Sequence, residues 1–514
     1  MSVPRSAGWR LAAALTSAVV AAGGAVAGHV TATATAPLHG APTVVAVVEP
    51  GGFNPYHLDF AASLHPWAGG DPSDDLPLTS DPATYIAGYP SGATALNITL
   101  PTSGSDDVNA LHAADAAAWA AVPNSTSTTS PSLYYIPGTK VIGAVRFDSA
   151  GLWAGNDAHG THSAASAVGN IHGTCPECLV VLVAGTGGLE WAQRQPWIDV
   201  VTNSYESTRQ HGNEYVRPGL VQGIYTQRSV VEAGQSVLWS AGNGVVNSLY
   251  DVPQLTYVSG QRGPDWVITV GGTRNGNPLP GTGRPADIAA EAESYPSTGG
   301  TTANGTGTHS GTSNAAPVVA GALGTVIQRG RDALGDTTGG HSAGVVASGT
   351  AVTCGSADPA CPLGDGVLTR QEAENTLFHT VTPGTQPEDL APVPVPARTV
   401  GPAVPDVPTL PAPRAAYLYV GHGVVHGREK PAAMAAEQAR AADALRGLVA
   451  VQRPYGEKAW MTADSRCRQL VWGSWGEGYF TGTLDDDGSS ALATAWNTWC
   501  TPETAAQLRE ASTL

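Results

Sequence analysis

The segment Thr43-Val-Val-Ala-Val-Val48 most constrains the fold. It is a continuous β-branched and apolar run with no polar alternation. A strand of this kind must be buried on both faces, as in a parallel sheet covered by helices. The pattern recurs at Val141–Phe147, Leu179–Val183, Ile198–Val201, Ser236–Ser240 and Trp266–Val270. Between these runs lie helix-compatible segments, at Ser163–Gly169, Gly188–Arg194, Gly219–Val231 and from Ser313 to about Ala333. Strands alternating with helices predict a doubly wound α/β domain, with a mostly parallel sheet and helices on both faces.

Chemistry gathers after these runs. Glu49 ends the first strand, and Pro50-Gly51-Gly52 then turns the chain. A carboxylate at the carboxyl end of a parallel strand lies where α/β sheets place their sites. The fourth run ends at Thr202-Asn203-Ser204, and the fifth runs into Ala241-Gly242-Asn243. His159 opens His159-Gly-Thr-His162 ahead of a small-residue helix. The stretch from His309 to Gly321 crowds small residues around Ser313 at a helix start. Backbone N–H groups there can face a developing oxyanion. Taken singly, each feature has an ordinary reading: a solvated turn at Glu49, a structural histidine at His159, a capped turn at Ser313. Together they supply the hydroxyl, base, orienting acid and oxyanion donor of acyl transfer.

The motifs His159-Gly-Thr-His162, Ser240-Ala-Gly-Asn243 and Gly311-Thr-Ser313-Asn-Ala-Ala-Pro317 resemble those of the subtilisin-like serine peptidases, the subtilase family. The Val44–Gly51 segment and the strand ending at Asn203-Ser204 match as well. The resemblance spans residues 40–335, with 61–135 as an insertion outside it. It implies Ser313 as nucleophile and His159 as general base and acid. It also implies an oxyanion hole from the Asn243 side chain and the Ser313 N–H, with Ser204 on an edge that pairs with substrate backbone. The family has an aspartate where this chain has Glu49, whose extra methylene must fold back to reach the imidazole. Asp59 is the nearest substitute carboxylate. The runner-up readings are a catalytically impaired relative that binds peptides or surfaces, and an esterase of another fold.

Residues 1–36 read as a secretory signal, with Arg5 and Arg10 before an apolar Leu11–Ala27 and small-residue cleavage sites at Ala25-Val26-Ala27 or Ala32-Thr33-Ala34. That run is short and soft for a membrane span. About ten to fifteen residues then precede the first strand, a spacing with no room for a folding pro-domain. The expected organisation is a catalytic domain at 40–381, a Pro-rich linker or surface arm at 382–413, a strand–helix segment at 414–452 able to complete that domain, and a Trp-rich disulfide-stapled unit at 453–514. A strand is expected at Ala416–Val420 and a helix at Pro431–Ala450. Gly364–Glu372 reads as a capped helix start in preference to a calcium loop. The 63 Gly, 39 Pro and 13% charged residues suit a loop-rich exported protein. A net charge of −17 argues against nucleic acid as a partner. Six cysteines fall into three local couples, Cys175 with Cys178, Cys354 with Cys361 and Cys467 with Cys500, and their even count favours disulfides, with a redox or zinc half-site the alternative for Cys175-Pro-Glu-Cys178. The expected protein is a secreted monomer acting on peptide or protein substrates, away from membranes once its signal is removed. It requires no cofactor for its chemistry and has no assigned metal. A structural cation is allowed, but nothing in the sequence supports one.

Overall fold

Every residue of β1 (Val44–Glu49) is buried. Val45 and Val47 enter one core cluster, and Val44, Ala46 and Val48 enter another on the opposite face. This is the two-faced burial that the unalternating run requires. The structure is a computed structural model and describes residues 40–67, 76–125, 131–147, 151–155, 159–185, 187–204, 235–243, 267–279, 286, 288–293, 295–298, 301–334, 368, 370–382 and 423–447.

After β1 the chain forms β2 (Thr94–Ala95), α1 (Val108–Ala114), α2 (Ala116–Ala120), β3 (Tyr134–Tyr135), β4 (Val141–Arg146) and α3 (His159–Val168). Then follow β5 (Leu179–Ala184), α4 (Gly188–Ala192), β6 (Val200–Asn203), β7 (Ser236–Ser240), β8 (Val267–Arg274), β9 (Asn277–Pro278) and β10 (Ile288–Glu291). A hairpin of β11 (Tyr295–Thr298) and β12 (Thr306–His309) leads into α5 (Thr312–Leu334), with α6 (Arg370–Thr380), β13 (Val424–Val425) and α7 (Pro431–Gly447) beyond.

The main sheet runs β13-β10-β8-β7-β6-β1-β5-β4-β3-β2, with β9 pairing off β8. Its pairings are parallel except β3 with β4 and β8 with β9. Helices α3 and α5 cover the face that receives Val45 and Val47, and α4 covers the other. The fold is the doubly wound α/β arrangement. β1 sits between β5 and β6, where successive strands change side. The carboxyl ends of β1 and β6 therefore open the crevice in which such sheets hold ligands.

Described residues of the 61–135 segment join the two clusters of the sheet. Leu96, Val108, Trp119 and Val122 join the α3-side cluster, and Leu78, Ile86, Tyr89 and Leu133 join the opposite one. The strand foreseen near 416–420, the Gly219–Val231 helix, residues 383–413 of the Pro-rich arm, the Trp-rich unit, the signal and Cys354, Cys361, Cys467 and Cys500 lie outside the described residues. Cys175 and Cys178 form a disulfide. A Cβ at Gly324 would lie 2.8 Å from Cys178 Sγ, so the bridge packs directly on α5.

A buried ion pair fixes α5 to the sheet. Arg331 holds Asp199 through Nη1–Oδ2 at 3.0 Å and Nη2–Oδ1 at 2.5 Å, and both side chains are out of contact with water. Asp199 Oδ2 also accepts the Val44 N–H at the start of β1, at 2.7 Å. Removing one partner strands a desolvated charge. Asp199→Ala should therefore lower unfolding free energy by about 3–5 kcal/mol, read from the urea midpoint.

Candidate active site

Strand parity brings a carboxylate to an imidazole. Side chains alternate along β1, so Glu49 follows Val45 and Val47 onto the α3 face. There its Oε2 lies 2.6 Å from Nδ1 of His159, the first residue of α3. The Glu49 side chain is 1% exposed and the imidazole 42%. The acid is thus sealed behind the ring, and the ring opens to solvent. Gly160 permits this approach, because a Cβ there would lie 2.7 Å from Phe53 and 2.8 Å from the Gly52 carbonyl. The contact is made by the Glu49 side chain. Its Oε1 is buried and has no hydrogen-bond partner among the described residues.

Ser313 is the second residue of α5, where an N–H has no acceptor within the helix. Its Oγ donates to the Ser204 carbonyl at 3.1 Å, and Ser204 Oγ donates back to the Ser313 carbonyl at 3.0 Å. Pro317 explains the second bond. It lies four residues beyond Ser313 and has no N–H, so the Ser313 carbonyl loses its helical donor and takes the Ser204 hydroxyl instead. Ser204 itself is buried at the end of the central strand β6. Both its oxygens are engaged with Ser313, and residues 205–234 that follow it lie outside the described residues.

Asn243 stands beside this helix start. Its side-chain oxygen accepts the Thr312 N–H at 2.9 Å and the Thr312 hydroxyl at 3.2 Å. A backbone N–H can only donate, so the atom it meets is Oδ1, and Nδ2 is left as a donor. Gly311 is required here: its φ is +94°, and a Cβ would press on the Asn243 amide at 3.0 Å. The two halves of the site are tied together by Ser166 Oγ on α3, which donates to Asn314 Oδ1 on α5 at 3.0 Å.

The sequence model of the subtilase family matches residues 40–338, more than half of the chain. The chain belongs to the subtilase family. A crystal structure of a cold adapted subtilisin-like serine proteinase is similar at 17% identity, with a TM-score of 0.31, over 57% of this chain and 78% of that one. No curated protein matches the sequence.

In this subtilase Asp59 is no substitute for Glu49. It is buried and accepts the Ile171 N–H at 2.6 Å, the His172 N–H at 3.1 Å and His172 Nδ1 at 2.5 Å, just past the C-terminus of α3. Burial alone would raise its pKa; the bonds and charge of His172 outweigh that and hold it below the usual carboxylate range. Lys140, fully buried, donates to the Val168 and Pro176 carbonyls at 2.5 and 2.6 Å at the same helix end. Burial pulls its pKa down to about 7. Both residues anchor the helix that presents His159.

The sequence reading assigned no role to His309. Its ring meets the His159 ring edge-on, with centroids 4.8 Å apart. Its place four residues before Ser313 is the only sequence signal for it. Among the described residues, no group of three or more His, Cys, Asp or Glu is placed to hold a metal ion. No described helix is long and apolar enough to cross a membrane.

Proposed function

We propose that this subtilase is an exported serine endopeptidase that hydrolyses extended peptide segments with Ser313, His159 and Glu49. One observation carries the reading: a buried carboxylate lies 2.6 Å from an imidazole that is 42% exposed, next to the helix that presents Ser313. In this mechanism Ser313 Oγ turns from the Ser204 carbonyl towards the scissile carbon, and His159 Nε2 takes its proton. Glu49 holds Nδ1–H and stabilises the imidazolium that forms. The Asn243 Nδ2 and the Ser313 N–H receive the oxyanion. His159 then protonates the leaving amine, and water repeats the sequence on the acyl-enzyme. The chemistry as written calls on no cofactor.

Asn243→Ala should lower kcat by about 10²–10³-fold with little change in KM, because the lost bond forms mainly in the transition state. Steady-state kinetics on a peptide substrate checks this.

A second reading has its own observation. The Ser313 hydroxyl is occupied by the Ser204 carbonyl, and Glu49 Oε1 has no partner among the described residues, as suits a relative that binds peptides and cleaves poorly. Incubation with a denatured protein, followed by mass spectrometry of the products, separates the two. Internal cuts support the endopeptidase. Binding by the folded protein without cuts supports the second reading.

A further inference from the structure

We propose that His309 is a positioning residue that holds the ring of His159 in register with Ser313, acting as a flat wall and not as a hydrogen-bonding group. The proposal rests on the proteolytic reading above.

The bond from Nδ1 to Glu49 restrains the half-exposed His159 ring at one atom. His309 supplies a second constraint. Its ring stands at 81° to that of His159, in an edge-to-face contact. It is itself held by stacking on His162, with centroids 4.9 Å apart and planes 12° apart. His159 and His162 are three residues apart, so they share one side of α3. His309 therefore packs against two points of the helix that carries the base. It is also the last residue of β12, fixed in register opposite Tyr295, and the Gly311 turn leads from it straight to Ser313. The chain that delivers the nucleophile is thus braced against the base.

The imidazole works here as an apolar shape. Its Nε2 is buried and has no partner among the described residues. Burial, reinforced by His159 and His162, pushes its pKa down to about 3, so it stays neutral while His159 takes up a proton. The charged or titratable groups around it are His159 and His162 on α3, with Glu49 on β1 behind His159.

The test uses the full chain with three forms: wild type, His309→Ala and His309→Phe. Active sites are counted by titration with a fluorophosphonate, so that misfolded molecules drop out. Per active site, His309→Ala should lose about tenfold to a hundredfold in kcat with KM nearly unchanged, and His309→Phe should recover most of it. Equal losses in both variants would mean that the nitrogen matters, and would overturn the proposal. So would an unchanged His309→Ala. If the wild type is not labelled at Ser313, the proteolytic reading fails by itself. Nitrogen NMR of the histidine rings still decides the positioning role. The Nδ1–H signal of His159 should be sharp in the wild type and in His309→Phe and exchange-broadened in His309→Ala, and a sharp signal in all three would refute it.

Discussion

Ser313→Ala is expected to lower kcat by about six orders of magnitude, to the residual rate that the oxyanion donors and binding alone support. The size follows from the division of labour. Without the hydroxyl no acyl-enzyme forms, and His159, Glu49 and Asn243 have no covalent step to assist. Stability should hardly follow. The variant loses the bond from Oγ to the Ser204 carbonyl, worth about 1 kcal/mol, while the reverse bond to the Ser313 carbonyl survives. A collapse in rate with a urea midpoint near that of wild type is the signature of a nucleophile. A parallel collapse of both would assign Ser313 to the fold.

Glu49→Gln is expected to lower kcat by about four orders of magnitude. The amide has the same shape, so packing on the α3 face is preserved. It cannot balance the imidazolium, and its NH2 can turn His159 to the wrong tautomer. Because Oε1 is already buried without a partner among the described residues, the amide meets no new deficit there. The unfolding free energy should therefore move little. Glu49→Asp is the sharper probe of length. It withdraws the carboxylate by about 1.5 Å from a contact of 2.6 Å. A loss of about a hundredfold is expected, because misplacement on that scale costs about that much. A Glu49→Asp enzyme as fast as wild type would show that the end of β1 adjusts freely. An unaffected Glu49→Gln would remove the residue from the mechanism.

The central strands were legible because burial on both faces leaves a mark that composition alone carries: β7 spans Ser236–Ser240 as the run predicts. β10 and β12 left no such mark. Ile288-Ala-Ala-Glu291 and Thr306-Gly-Thr-His309 are short and rich in small residues, and their pairing is set by neighbours distant in sequence. The α3 helix begins at His159, four residues before the expected start at Ser163. Gly160 and Thr161 are weak helix formers, yet packing against Phe53 and Gly52 overrides their propensity. The acid, base, amide and hydroxyl could be picked out as candidates, but the reach of Glu49 across 110 residues could not. Asp199, Arg331 and Lys140 gave no sign of burial, since a lone charge in a sequence does not reveal its partner. Ser204 was expected on a substrate-facing edge, and its described contacts are with the backbone and hydroxyl of Ser313.

The most direct measurement is labelling of the folded protein with a fluorophosphonate, followed by peptide mapping. One label per molecule on Ser313, lost in Ser313→Ala and strongly slowed in Glu49→Gln, is the predicted result. A folded, unlabelled wild type, or a label on another residue, would contradict an active site built on Ser313, His159 and Glu49.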